Sequence, residues 1–599
     1  MNIQPEVPSP EPAAESHAFL TRLHQDWASP KLLDFVNQAA PQCSASLSLE
    51  NRLAFIGSTE LLADLSAFAH VEAIEPDETE DARAQRQPVD LLLIEGRWPR
   101  VEAGWRRALL DLPGDDLARL RRLVEHYRER GTPTVLWVTD EADAVNAYSH
   151  LFEIADAVFV PAEFKLTGSK MFHLDPGVNV RTFNPFKLNA YKFRIESGYF
   201  RFLIDGAYEL AQFLAPDAVV DLVGPLLPHN TWLVDSSYRL RNNNEKIHAV
   251  LRRRFLGSLD EPALAFLMRN AWGVFYPSVL TERRPAYFRK RALQAAACKS
   301  LVLTDAGGPE AVGLMRVGNP AEFQSALSFM VEDPIGLLGL QHLAWRDAVT
   351  NHTFFERLET IFAAVKVKPV YNEPSQPSIN VVLPTIRPQL IPFALEMYAQ
   401  QSYRNTHLTI VANGAQVPED IAQQVAVTPN AKLCFVPGDK SVGYCMNFGI
   451  DQVDADYWAK WDDDDIYGPH YLEDQIVQRK YVDFDICGKG TIFTYLEERE
   501  CLHIRKLDIR DTLQEFVGGG TLLVRNDGRY FPEDVRGFAD TLFLTNASMR
   551  GDRVLASDPF NFVQVRRTDP KSHTWTAGAH TLNLSGPVRQ GLHLDHVIF

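Results

Sequence analysis

The 599-residue chain has no apolar run approaching the roughly 18 residues that a bilayer-spanning helix needs, and its N-terminus lacks the charged and apolar pattern of a secretion signal. Cysteine is scarce. The six present, Cys43, Cys298, Cys434, Cys445, Cys487 and Cys501, are scattered without paired metal spacing, which suits a reducing compartment. Positive charge is in deficit too: the formal net charge of −17 leaves no surplus basic surface to neutralise a phosphate backbone, which argues against a general nucleic-acid partner. No short-period repeat points to a solenoid. These absences leave a cytoplasmic, multidomain enzyme as the expectation, because a chain of this length exceeds one core and about 150 residues per domain suggests several units.

What the chain does carry is the run Trp461-Asp462-Asp463-Asp464-Asp465-Ile466, between an apolar, strand-like approach and a turn at Tyr467, Gly468 and Pro469. Carboxylates are hard oxygen ligands, and Mn2+ or Mg2+ is commonly held by one or two of them together with substrate phosphates. An acidic surface loop is the competing reading, since charge runs are usually solvated. The context bears on the choice. Ile379 to Pro384 reads as a buried strand, Leu390 to Gln401 as a helix, and Leu408 to Ala412 as a second strand ending at Asn413-Gly414. A strand from Lys432 to Pro437 leads through Gly438-Asp439-Lys440-Ser441-Val442-Gly443 into a short helix through Asn447, and the strand Asp456 to Trp461 delivers the four acids. Open parallel α/β sheets bind ligands at the carboxyl ends of their strands, so these loops are expected to converge on one crevice.

In order and spacing, Pro384-Thr385-x-x-Pro388 with Arg387, Gln401-Ser402-Tyr403, Asn413-Gly414, Gly443-x-x-x-Asn447-x-Gly449 and Asp462-x-Asp464-Asp465 resemble the GT-A-fold family 2 glycosyltransferases, over about Ser378 to Trp575. The resemblance implies a nucleotide-diphosphate sugar as donor, and donor contacts from Thr385, Arg387, Asn413, Lys440, Asn447, Asp462 and Asp463. It also implies that Asp464 ligates a metal bridging the two phosphates, and that the reaction inverts the anomeric centre. One departure is Met446, where the family often has Arg.

Glycosyl transfer needs a group that takes the proton of the attacking hydroxyl. Phe531 to Asp540 resembles the family segment that ends in a Glu-Asp pair; here Ala539 replaces the first acid, and Asp540 is the expected general base, with Glu533 and Asp534 as competitors. Asp540 also reads as the N-cap of a helix from Thr541 to Ser548. Gly518-Gly519-Gly520 permits close ligand approach, which makes Gly519 and Gly520 candidate acceptor contacts. His573 lies where many GT-A enzymes supply a late metal or phosphate ligand, with Lys571 beside it. The acceptor expected is a glycan, a lipid-linked glycan or a glycoprotein.

The front of the chain alternates short apolar strands with helical stretches: Leu53 to Ile56, Val71 to Ile74, Asp90 to Ile94, Thr134 to Val138 and Ala157 to Val160, with Asp115 to Arg130 as a helix. Thr132 to Trp137, Asp175-Pro176-Gly177-Val178, Phe183-Asn184-Pro185 and Arg291 to Cys298 resemble GT-B-type glycosyltransferases of the spore-maturation-protein-like group. In that group Glu usually stands at the position of Gln294 and Gly at that of Lys299. The expected organisation is α/β throughout. A disordered and helical lead-in over residues 1–50 precedes two GT-B-like Rossmann-type domains at 51–186 and 187–365, a linker at 366–377 and a GT-A domain at 378–599. Basic residues Arg252, Arg253, Arg254, Arg283, Arg284, Arg289, Lys290 and Arg291 read either as contacts to a diphosphate or to an anionic surface at the inner face of the cell membrane, or as solvated helix faces paired with nearby acids. Beside a metal-dependent transferase, two readings stay open: a second active site in the front half, and a non-catalytic glycan-binding scaffold.

Overall fold

The computed structural model describes residues 45, 47–76, 87–97, 105–112, 115–187, 201–206, 210, 213–229, 231–235, 251, 254–256, 259–305, 310–506, 509–535, 537–568 and 584–599. Residues 1–44 and 46 of the expected lead-in, with Arg252, Arg253, Lys571 and His573, lie outside the described residues. The chain divides into two compact units, one built on Ser48–Pro185 and Arg194–Tyr371, the other on Asn372–Phe599 with Phe186–Phe193.

The first unit holds two parallel sheets. Strands β1 (Arg52–Ile56), β2 (His70–Ala73), β3 (Leu91–Gly96), β4 (Thr134–Val138), β5 (Ala157–Val160) and β6 (Met171–His173) form one sheet in the order β2-β1-β3-β4-β5-β6. Strands β7 (Phe202–Asp205), β8 (Thr231–Val234), β9 (Gly273–Phe275), β10 (Leu301–Thr304) and β11 (Leu314–Arg316) form the other, in the order β11-β10-β9-β7-β8. Parallel strands covered on both faces read as continuous apolar runs, and β3, β4 and β5 are buried at every position.

In the second unit the strands are β12 (Ile379–Thr385), β13 (Thr406–Asn413), β14 (Ala431–Val436), β15 (Tyr457–Lys460), β16 (Ile466–Tyr467), β17 (Ile486–Lys489), β18 (Ile492–Leu496), β19 (Cys501–Arg505), β20 (Thr512–Leu513), β21 (Leu523–Arg525), β22 (Val554–Ser557), β23 (Phe562–Arg566) and β24 (Leu584–Gln590). Eight of them make a mixed sheet, β14-β13-β12-β15-β21-β17-β22-β20, and five make a second sheet, β16-β23-β18-β19-β24. The first four strands are parallel, and β21 then runs antiparallel to both β15 and β17. From β12 the chain steps outward to β13 and β14, then returns to the other side of β12 as β15. That reversal opens a crevice at the carboxyl ends of β12 and β15. Pro384, which has no N–H to give, lies past the last β12–β15 pair, Val382 with Lys460.

The core beneath the crevice contains Val382, Val411, Trp458, Phe531 and Phe543 together with Cys445 and Met446 of the helix Val442–Ile450. Met446 is fully buried there. An arginine at that position would have to give up its hydration.

Candidate active site

Two strand ends and a glycine turn deliver the site. Beyond Thr385 at the end of β12, the backbone N–H of Arg387 donates to Thr385 Oγ1 at 2.9 Å, and that hydroxyl in turn donates to Asp463. The Arg387 guanidinium forks between two acids, bonding Asp463 and, through Nη1, Asp464 Oδ2 at 2.9 Å. At the end of β15, Lys460 Nζ lies 2.6 Å from Asp462 Oδ1 and 3.6 Å from Asp540 Oδ2. Asp465 turns inward and accepts the N–H of Val565 at 2.9 Å.

The glycine turn closes the opposite side. A Cβ on Gly520 would stand 2.5 Å from Asp462 Oδ2 and 3.3 Å from Asp465 Oδ2, and a Cβ on Gly519 would collide with the Asp540 carboxylate. Only glycine lets the backbone approach these acids so closely. Tyr467 ties the two sides together: its hydroxyl accepts the N–H of Asp462 at 2.8 Å and donates to the carbonyl of Gly520 at 2.7 Å. Its ring stacks on Trp461 with centroids 4.3 Å apart.

Charge in this crevice is unevenly matched. Asp462, Asp463, Asp464, Asp465 and Asp540 face Lys460 and Arg387, with Arg566 acting electrostatically on Asp464 and Asp465. Burial raises the Asp540 carboxyl above its ordinary range and Asp462 adds to the rise, while Lys460 opposes it. Asp465 is pushed well up by burial and by the charges of Asp462 and Asp464. Burial works to lower Lys460, but Asp462 and Asp540 hold it above its ordinary value. The surplus of carboxylate, and the Asp462 and Asp465 oxygens that face the same point beside Gly520, are hard oxygen donors of the type a divalent cation takes.

Of the expected site residues, Thr385, Arg387, Asp462, Asp463, Asp464, Gly519, Gly520 and Asp540 come together here. Asn413 and Lys440 meet each other instead, Asn413 Nδ2 donating to the Lys440 carbonyl at 3.0 Å. Asn413 Oδ1 is buried and has no hydrogen-bond partner among the described residues. Asn447 is a clamp: Nδ2 donates to the carbonyl of Phe531 at 3.0 Å and to Glu533 Oε1 at 2.8 Å, and Oδ1 accepts the N–H of Phe531 at 2.8 Å. Glu533 is thus engaged with Asn447, and Asp534 is exposed.

The capping role expected of Asp540 is corrected. The helix runs Ala539–Arg550, its N-cap is Phe538 in the left-handed region at φ 58°, and no side chain caps it. Asp540 sits inside the first turn, so its carboxylate is directed at Lys460 and Gly519 rather than at backbone N–H groups.

Lys460, Asp465 and Tyr467 are site residues that the sequence reading did not assign. A signal for Lys460 was present: it is the one charged residue of the strand Tyr457–Lys460, which is buried at every position. Asp465 and Tyr467 had no such signal, since alternation along a four-acid loop does not reveal which acid turns inward.

In the first unit, Gln294 Oε1 accepts Arg291 Nη1 at 2.7 Å, so its amide is already held by a neighbour. Lys299 adopts φ 57°, the left-handed region where glycine is favoured, and its Nζ lies 4.6 Å from the Trp345 ring centroid. The cation–π contact offsets part of a backbone cost of about 1–2 kcal/mol. Three of the basic residues are spent on acids within this unit: Arg289 on Asp175 and Glu163, Lys290 on Asp64 at 3.2 Å, and Arg291 near Asp205 at 3.5 Å. Among the described residues, no helix is long and apolar enough to cross a membrane.

No family model matches the chain. Its sequence is similar to an uncharacterized glycosyltransferase of Rickettsia typhi, 24% identical over 162 residues, which is 25% of this chain and 50% of the relative. The match relates part of the chain to a protein named as a glycosyltransferase, and the chain spans half the length of that relative. Among solved structures, it is similar to Staphylococcus aureus TarS 1-349 in complex with UDP-GlcNAc, with 17% identity and a TM-score of 0.28 over 32% of this chain and 59% of that one. A second is the mannosyltransferase PcManGT of Pyrobaculum calidifontis in complex with GDP-Man and Mn2+, with 16% identity and a TM-score of 0.25 over 39% and 68%. Likenesses this distant carry no argument about the present site, which rests on its own geometry.

Proposed function

We propose that the second unit is a GT-A-type, family 2-like glycosyltransferase that moves a sugar from a nucleotide diphosphate to a hydroxyl of a glycan, lipid-linked glycan or glycoprotein. The first unit is then a GT-B-like pair of Rossmann-type lobes. One observation carries the reading: the acids that end β15, the Gly519-Gly520 turn and Asp540 converge on one crevice at the carboxyl ends of the parallel strands β12 and β15.

In this mechanism Asp540 takes the proton of the acceptor hydroxyl as the acceptor oxygen bonds to the anomeric carbon, and the bond from that carbon to the diphosphate breaks on the opposite face, with inversion. A Mn2+ or Mg2+ ion held by Asp464, with Asp462 and Asp465 beside it, would supply the positive charge that stabilises the departing diphosphate. Thr385 and Arg387 orient Asp463 and Asp464, and Asp462 faces the sugar.

Hydrolysis of a panel of sugar nucleotides, with and without Mn2+, tests the reading. One donor hydrolysed in a metal-dependent way is the expected result. No binding or hydrolysis of any donor would return the chain to the scaffold reading.

A further inference from the structure

We infer that Lys460 is a positioning residue that holds the general base in register with the donor-side acid. The inference rests on the transferase reading above and deepens it. The ammonium is in direct contact with both carboxylates, 2.6 Å from Asp462 Oδ1 and 3.6 Å from Asp540 Oδ2.

Those two acids arrive from distant parts of the chain. Asp462 follows β15, whereas Asp540 stands in the first turn of the helix Ala539–Arg550. Two carboxylates so placed repel each other, and the geometry that an in-line displacement needs is the one repulsion would open. Lys460 removes that tendency. Its side chain is only 3% exposed and is anchored in β15 at the pair Val382–Lys460, so the ammonium is a fixed point rather than a mobile surface charge. Burying a lysine is costly unless it is paired, and here both partners belong to the site. Asp540 Oδ1 is buried and has no hydrogen-bond partner among the described residues. One oxygen of the base is therefore held toward Lys460.

If Lys460 acts through Asp540, its removal matters only while Asp540 is an aspartate. The test is a double-mutant cycle on transfer at saturating donor, metal and acceptor, using Lys460→Met, Asp540→Asn and the double variant, with melting temperature confirming the fold. Lys460→Met should lower kcat at least 10-fold, and the double variant should be no more than about 3-fold worse than Asp540→Asn alone. Where Lys460→Met does not fold, Lys460→Gln, which keeps a hydrogen-bond donor on a shorter stem, enters the same cycle. Losses that multiply, or a single variant within 3-fold of wild type, overturn the assignment. If Asp540→Asn itself leaves transfer intact, the base assignment fails instead, an outcome distinct from failure of the Lys460 role.

Discussion

Gly519→Ala isolates the geometry of the base from the stability of the fold. A Cβ at this position would lie 2.6 Å from Asp540 Cγ and 2.7 Å from Asp540 Cβ. Carbon atoms rest at about 3.5–4.0 Å, so the carboxylate must retreat by about 1 Å. A misplacement of about 1 Å costs about 100-fold in rate, which is roughly 2.7 kcal/mol of barrier. Gly519 is not among the residues with positive φ, so alanine meets no backbone strain there. Loss of glycine's freedom in the unfolded chain would by itself add about 0.4–1 kcal/mol of stability. The expected phenotype is a folded protein that binds donor normally and transfers about 100-fold more slowly. Transfer rate at saturating donor, donor affinity by calorimetry and a melting curve measure the three quantities separately. Wild-type transfer by Gly519→Ala would refute the placement of Asp540 against the glycine turn, and hence its role as base.

Three further outcomes are expected. Asp464→Ala should abolish metal-dependent donor turnover without unfolding the chain; full turnover by this variant in the presence of a chelator would rule out the metal assignment. Asp540→Asn should lose about 10²- to 10⁴-fold in transfer while sparing donor binding, and because Asp540 caps no helix its melting temperature should stay near that of wild type. Since the base works only when ionised and burial raises its pKa, the rate should fall, on acidification, at a higher pH than an ordinary carboxylate would give; a pH–rate profile whose acid limb sits at or below the ordinary carboxylate range contradicts this.

The parallel strands were the most legible part of the fold. Thr134 to Val138 and Ala157 to Val160 are recovered residue for residue, because strands buried on both faces leave an unbroken apolar run between turn residues. The crevice was legible for the same reason: Ile379 to Pro384 and Asp456 to Trp461 mark the strands whose ends supply Thr385 and Asp462. The sheet β16-β23-β18-β19-β24 was not. Its strands pair across long stretches of sequence, β18 with β23 and β19 with β24, and β19 carries register irregularities against β24. Such pairing is set by tertiary packing rather than by local periodicity. The Asp540 cap was misread because a left-handed residue opening a helix is uncommon for phenylalanine, and nothing local announces it.

Tyr467 gives the crevice a fixed width. Both partners of its hydroxyl are backbone groups, the N–H of Asp462 and the carbonyl of Gly520, and its ring is buried against Trp461, Tyr471 and Phe562. The spacing between the acidic loop and the glycine turn is therefore set by two hydrogen bonds that meet on one hydroxyl oxygen, held in place by a buried ring, and not by any side chain that does chemistry. Substitutions among the acids can change what the crevice holds while the frame around it keeps its dimensions, so reactivity and specificity are free to diverge on an unchanged scaffold.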